Sequence, residues 1–381
     1  MIPYGKQHIT PEDLNAVTTV LQSDFLTQGP AVKKFEDEFA EYIGCKYAVA
    51  VSNGTAALHL AALALEVDEK SKVLTSPITF AASANCILYC GGSVDFVDVD
   101  EHAVMSIEGL KKKLQESPKG TYQGIVPVDF AGYPVNLEEI SKLAKEYNLW
   151  ILEDACHAPG GGFIDSKGKF NKCGDCNYAD AAIFSFHPVK HIACGEGGMI
   201  TTNRKDIYDK LILLRTHGIT KDPNLMHKND GPWYYEMQEL GYNYRLTDFQ
   251  AALGSSQLKR ADQGLQRRID IAHKYNISFD QNDIEYIPFV KNGVHAYHLF
   301  IVYSKDRKGL YEHLRKNNIF AQVHYIPVHT LPYYKGLGFK EGAFPNAEKH
   351  YAECLSLPMY PTLTNEEQDF VIQKVIEFSK P

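Results

Sequence analysis

Seven short apolar runs, separated by turns and helical stretches, set the strongest limit on how this chain can fold. Tyr47–Val51, Lys72–Thr75, Val94–Val97, Gly124–Phe130, Trp150–Glu153, Ala181–Ser185 and Met199–Thr202 all read as strands. Between them, Ala56–Leu65 is an Ala/Leu-rich helix and Ala81–Tyr89 is helical in pattern. Leu137–Tyr147 places Leu137, Ile140, Leu143 and Ala144 at helical spacing. Strands this short and apolar have no polar face to offer water. They predict an α/β fold with a mostly parallel sheet of seven strands between helices.

The last third is patterned differently. Thr247–Ala261 and Leu265–Tyr275 read as helices that lead into a smaller region. There, Tyr297–Tyr303 and Gln322–Tyr325 read as strands around a Lys/Arg-rich helix, Lys308–Asn317, and a last helix covers Asn365–Phe378. A chain of 381 residues is long enough for two domains. The expected division is an N-terminal arm with a large domain over 1–254, and a small α/β domain over 255–381. Tyr4–Leu26 precedes the sheet and is expected as an arm across a partner.

Composition narrows the function classes. A net charge of −8 argues against nucleic-acid binding, and 23% charged residues suit a soluble enzyme. No apolar run approaches the roughly 20 residues of a membrane span. The start, Met-Ile-Pro-Tyr-Gly-Lys, lacks a secretory pattern, so the cytoplasm is expected. Most of the eight cysteines lie in apolar stretches, as reduced thiols do. Cys173-Gly-Asp-Cys176 has no second pair at zinc-ribbon spacing; it is expected as a structural turn, and no metal site is expected.

The chemistry concentrates around Lys190. An apolar strand, Ala181–Ser185, delivers this lysine toward the turn Gly195-Glu196-Gly197-Gly198. A lysine in such a place is neutral, paired or covalently used, because a buried unpaired ammonium is costly; the competing reading is a snorkelling surface lysine. Asp154 ends another apolar strand, where it can hold a ring nitrogen protonated or cap the next turn. Alternation sends Glu153 to the opposite face. Gly54 and Thr55 lie between a strand and a helix, where backbone N–H groups and the helix dipole bind phosphate; a plain N-cap also fits. Ser185 is placed to reach the same phosphate. His157 is placed for the cofactor's 3′-oxygen. Phe80 can stack on a pyridine face or simply fill the core. Lysine, acid and phosphate cradle together point to pyridoxal 5′-phosphate held as a Schiff base. His187 and His191 flank the lysine, but a metal there would compete with that chemistry. A nicotinamide enzyme would need a GxGxxG fingerprint, which Gly160-Gly161-Gly162-Phe163 does not supply.

These motifs resemble the DegT/DnrJ/EryC1/StrS family of pyridoxal-phosphate sugar aminotransferases, nearly end to end. The resemblance is carried by Leu26-Thr27-Gln28-Gly29-Pro30, Ser52–Ala56, Glu153-Asp154-Ala155-Cys156-His157, the Lys190 segment and Gly241–Ala252. It implies a fold-type-I, aspartate-aminotransferase-like enzyme and a homodimer with shared active sites, in which Asn243 reaches the cofactor phosphate of the other subunit. Capping of a helix by Thr247 is compatible with that role. Further similarity, in 185–198, 233–237, 324–329 and 355–360, is to the branch acting in pseudaminic-acid biosynthesis, which serves surface or flagellin glycosylation. That branch implies L-glutamate as donor and a UDP-linked 4-keto-6-deoxy-N-acetylhexosamine as acceptor. Substrate contacts carried over by position are Tyr4, Asp24, Phe25, Leu26, Thr27, Gly54, Ser185, Asn243, His324, Tyr325, Ile326 and Pro327. The alternatives are a GDP- or dTDP-linked 4-keto sugar, a dehydratase, in which histidine would replace Lys190, or a non-catalytic sensor. Where the family often has Gln, this chain has His157.

Overall fold

The computed structural model describes residues 1–380. All seven expected strands form one sheet: β1 (Tyr47–Val51), β2 (Lys72–Thr75), β3 (Ser93–Phe96), β4 (Gly124–Val126), β5 (Trp150–Asp154), β6 (Ala181–Ser185) and β7 (Gly198–Thr202). Their spatial order is β1-β7-β6-β5-β4-β2-β3. β7 runs antiparallel to both β1 and β6, and the other neighbours are parallel. Strand alternation sorts the side chains into two cores. Val49, Val51, Leu152, Ile183 and Ile200 pack under the helices Gly54–Ala64, Ala82–Tyr89 and Lys205–Arg215. Ala48, Ala50, Phe184 and Met199 pack with Phe35 and Phe39 of Pro30–Ile43 on the other face. The central strands are apolar on both sides because helices cover both sides, while the edge strand β3 carries Ser93 and Asp95.

Several boundaries differ from expectation. The fourth strand was expected to reach Phe130 but stops at Val126, because Pro127 has no N–H for the ladder. A 3₁₀ turn, Phe130–Gly132, follows, with Ala131 at φ 59° and Gly132 at φ 93°. Gln322–Tyr325 is not a strand. Only Gln322 bridges to Ser356, and His324 leaves the ladder to hydrogen-bond the Ser356 side chain through Nδ1 at 2.9 Å. The helices Pro11–Leu21, Pro30–Ile43, Ile107–Glu116 and Lys205–Arg215 lie outside the sequence expectations.

In the C-terminal region, Phe300–Tyr303 pairs antiparallel with Cys354–Leu357. Helices Ala261–Asp280, Arg307–Lys316 and Asn365–Ser379 enclose a core with Tyr275, Phe279, Phe300, Leu314 and Val371. The expected domain division at 254/255 falls inside the helix Asp248–Leu258. We propose that the division lies at Lys259 and Arg260, between that helix and the next. The N-terminal arm is anchored on its own chain at two places. Ile2–Pro3 pairs in parallel with Ile319–Phe320, so the chain's start belongs to the C-terminal region. Pro11–Leu21 packs on its own chain, where buried Asp13 accepts from Arg260 Nη2 at 2.5 Å and Gln257 Nε2 at 2.8 Å. No helix among the described residues is long and apolar enough to cross a membrane.

Candidate active site

At the ends of β5 and β6 the chain opens a cavity of about 980 Å³. Its floor is built by three elements. Helix Gly54–Ala64 starts at the floor, with Asn53 Oδ1 accepting from Ala56 N at 2.8 Å as the N-cap. The backbone N–H groups of Gly54 and Thr55 stay free at this positive helix end. Space at Gly54 is tight: an added Cβ would stand 3.0 Å from Ser185 Cβ, so the serine would have to give by a few tenths of an ångström. Ser185, at the end of β6, is half-buried on the same wall. A phosphate fits this cradle, and Asn53 capping and phosphate binding coexist because they use different N–H groups.

Asp154 closes β5 and is 5% exposed. Its Oδ2 accepts from Ser83 Oγ at 2.6 Å and its Oδ1 from Cys156 N at 3.2 Å, so the turn-capping reading and the cavity reading both hold. Thr79 supports Ser83 at 2.7 Å. Glu153 points to the other face, as alternation requires, where it accepts from Gly174 N at 2.9 Å. It approaches Asp129 and Cys173 there. Burial drives both acids toward their neutral forms, with Asp129 pushed up to about 6. Cys173 and Cys176 are buried free thiols in a turn with Gly174 at φ 84°.

Lys190 faces the cavity from the turn after β6, its backbone held by a 2.9 Å bond to His187 O. Among the described residues its ammonium has no carboxylate within ion-pair reach and no hydrogen bond. Burial lowers its pKa, a tendency that Cys156 and Asp154 oppose. A half-buried amine facing a cavity, with its charged form opposed by burial, suits a nucleophile better than a snorkelling surface lysine. Three histidines crowd behind it. His157 and His298 lie 4.2 Å apart by ring centroid, and His191 is 5.8 Å from His298. Burial, then neighbouring positive charge from Lys190 and, at His191 and His298, from Arg268, holds all three well below the usual histidine range. They surround the amine as neutral groups.

The walls are aromatic. Phe80 is 63% exposed, which removes it from the core and leaves its face open to the cavity, 6.3 Å from the Tyr325 ring. Tyr4 and His324 meet at 5.2 Å, and both line the cavity. Burial pushes His324 down to about 3. Other expected residues stay outside. Asp24, Phe25, Leu26 and Thr27 are exposed and border the helix Asp248–Leu258 through the Thr27–Thr247 bridge. Asn243 is exposed on the outer side, while Tyr242 and Tyr244 beside it line the cavity. Ile326 and Pro327 follow Tyr325 but leave the wall.

Sequence reasoning missed His59, Ser83, Tyr242, Tyr244 and His298. Only Tyr242 and Tyr244 carried a signal, through their alternation around Asn243. The others come from helix interiors and a loop whose patterns announce no ligand.

A profile of the DegT/DnrJ/EryC1/StrS aminotransferase family matches residues 7–376. The spore coat polysaccharide biosynthesis protein SpsC of Bacillus subtilis is 38% identical, over 100% of this chain and 97% of its own length. A Campylobacter jejuni UDP-4-amino-4,6-dideoxy-N-acetyl-beta-L-altrosamine transaminase is 39% identical, over 97% of this chain and 96% of its own. Among solved structures, Helicobacter pylori PseC, an aminotransferase of pseudaminic-acid biosynthesis, superposes with a TM-score of 0.89 and 31% identity, covering 99% and 98% of the two chains. The PLP form of the sugar aminotransferase Spr1654 from Streptococcus pneumoniae superposes with a TM-score of 0.89 and 27% identity, covering 100% of both.

Proposed function

The chain belongs to the DegT/DnrJ/EryC1/StrS aminotransferase family and is a PLP-dependent sugar aminotransferase; for its reaction, we propose transfer of the amino group of L-glutamate to C4 of UDP-2-acetamido-2,6-dideoxy-β-L-arabino-hex-4-ulose. The product is UDP-4-amino-4,6-dideoxy-N-acetyl-β-L-altrosamine, for pseudaminic acid and flagellin glycosylation in the cytoplasm. The observation that carries the chemistry is Lys190, an unpaired amine facing a cavity floored by Asp154 and a free helix N-terminus. The similarity to the Campylobacter transaminase and to PseC supports the sugar.

When bound, the cofactor supplies a carbonyl for the amine and an electron sink for the substrate's Cα or C4 carbanion. In this reading Lys190 anchors it and then moves a proton at the reacting carbon. Asp154 holds the ring nitrogen protonated, and Ser83 keeps that carboxylate in place. Gly54, Thr55 and Ser185 bind the phosphate, His157 meets the 3′-oxygen and Phe80 covers the ring.

The second element is a homodimer with shared active sites. Asn243 and Asp24–Thr27 are exposed and do not line their own cavity, which suits a rim for another copy. Tyr4, His324 and Tyr325 provide the sugar wall within the chain. Similarity to SpsC keeps a second reading in view, another 4-keto-6-deoxy nucleotide sugar for a coat polysaccharide. Supplying enzyme, glutamate and a panel of UDP-, dTDP- and GDP-4-keto-6-deoxy sugars separates the two. The proposal expects amination of the UDP-N-acetyl sugar with the highest kcat/KM. Equal or faster amination of a dTDP or GDP sugar overturns it.

A further inference from the structure

The helix that starts at the cavity floor carries a second polar group inward. His59 follows Thr55 by one turn, is 7% exposed and lines the cavity. Three tyrosines box its ring, with centroids at 5.6 Å for Tyr89, 4.9 Å for Tyr242 and 6.0 Å for Tyr244. Its Nδ1 lies 3.2 Å from Tyr244 Oη, which has no other hydrogen-bond partner among the described residues. Burial lowers the pKa of His59 and raises that of Tyr244, so both are neutral near pH 7 and one donates to the other.

Tyr242 and Tyr244 flank Asn243. Both line the cavity wall, their rings stacked at 5.0 Å, and Asn243 is left exposed between them. The backbone here is tied by Tyr242 N to Leu214 O at 2.7 Å, His217 N to Tyr242 O at 2.8 Å and Ser52 N to Tyr244 O at 2.8 Å. Those bonds fix the line of the segment and leave its roll about that line to the side chains. Any roll would swing Asn243 and both rings together, and the rings are wedged against His59. We propose that His59 is a positioning residue for the cofactor site of the opposite subunit: by bracing Tyr242 and Tyr244 from inside one cavity, it sets where Asn243 stands in the other. The inference rests on the proposed homodimer, in which Asn243 crosses to the other subunit's phosphate. One helix then serves two sites. Its start holds the phosphate in its own cavity, and its second turn steadies the side chain that leaves for the other.

Mixed dimers, isolated through two affinity tags, test this by cofactor occupancy and not by turnover. Holoenzyme is diluted, and borohydride then fixes PLP to whichever Lys190 still holds it. Where one chain carries Lys190→Ala, only one site per mixed dimer can be tagged. With wild type as the other chain, adding His59→Leu to the Lys190→Ala chain should weaken PLP retention at the remaining Lys190 roughly three- to tenfold. Moving His59→Leu to the chain that keeps Lys190 should restore retention. The reverse pattern, an equal defect in both arrangements, or no defect in either overturns the proposal. Tyr244→Phe should reproduce the pattern, and His59→Asn, whose amide can still reach the phenol, should recover most of the loss; wild-type retention in Tyr244→Phe overturns the pairing. Asn243→Ala on the Lys190→Ala chain separates the two levels. Normal retention there refutes shared sites and the proposal with them. Weak retention with Asn243→Ala but normal retention with His59→Leu refutes the proposal alone.

Discussion

The floor and the rim of the cavity are built by different rules. On the floor, Asp154 and Ser185 end central strands, Lys190 follows one, and Gly54 opens a buried helix. Around the rim, Asp24–Thr27 and Asn243 sit on exposed segments that do not line the chain's own cavity. These four floor residues all come from one chain on rigid elements, which suits electrostatic preorganisation. In the proposed homodimer the rim would serve another copy, while the aromatic wall of Tyr4, His324 and Tyr325 stays with the floor in one chain.

The sharpest way to break the floor is Lys190→Ala. Turnover should fall roughly 10⁴-fold with the fold intact by circular dichroism. Borohydride reduction of wild-type enzyme should tag Lys190, and a tag on another lysine would remove it from its role. Asp154→Asn tests the same floor with a smaller loss, roughly 10²- to 10³-fold in kcat with PLP still bound. A loss below about tenfold would place the ring-nitrogen partner elsewhere.

The rim is tested by mixing. Lys190→Ala and Asn243→Ala should each be inactive, yet after subunit exchange an equal mixture should recover about a quarter of wild-type activity, since half the dimers are mixed and each has one intact site. No recovery after verified exchange would confine each site to one chain.

The smallest effect lies beneath the floor. Asp129 and Glu153 have folded pKa values above their unfolded ones, so the folded state holds protons more tightly. Their contribution to stability is then fully present below about pH 4 and is lost as pH rises through about 6 and beyond. Glu153→Gln removes one titrating partner. Compared with wild type it should gain on the order of 1 kcal/mol between pH 5 and pH 8 in denaturant unfolding. An identical pH dependence in the two proteins would show that the pair does not titrate in this window.

The same contrast explains what the sequence could say. Every floor residue follows a recognisable strand or turn, and all seven sheet strands were legible because burial on both faces leaves an uninterrupted apolar run. Pro30–Ile43 lies outside the expectations although Phe35, Phe39 and Ile43 recur at helical spacing with charged residues between them, a pattern that does mark an amphipathic helix. Gln322–Tyr325 looked like a strand because aromatic and apolar residues there serve a cavity wall, which has the composition of a strand without its ladder. His298 was silent for a related reason. Its placement depends on Arg268, a buried guanidinium that holds the carbonyls of Tyr297, His298 and Met359, three residues no local pattern connects.

The pairing of Ile2–Pro3 with Ile319–Phe320 has a consequence for the order of events in the cell. Tyr4 is fixed by the same stitch, its carbonyl accepting from Met359 N at 2.9 Å. During synthesis, Ile2–Pro3 must wait for a partner made more than three hundred residues later. The strands carrying Asp154 and Ser185 need no such delay, because their neighbours come from the first two hundred residues. The nascent chain can therefore assemble the cavity floor first, whereas the wall at Tyr4 and His324 closes only after Ile319–Phe320 and Met359 have been made.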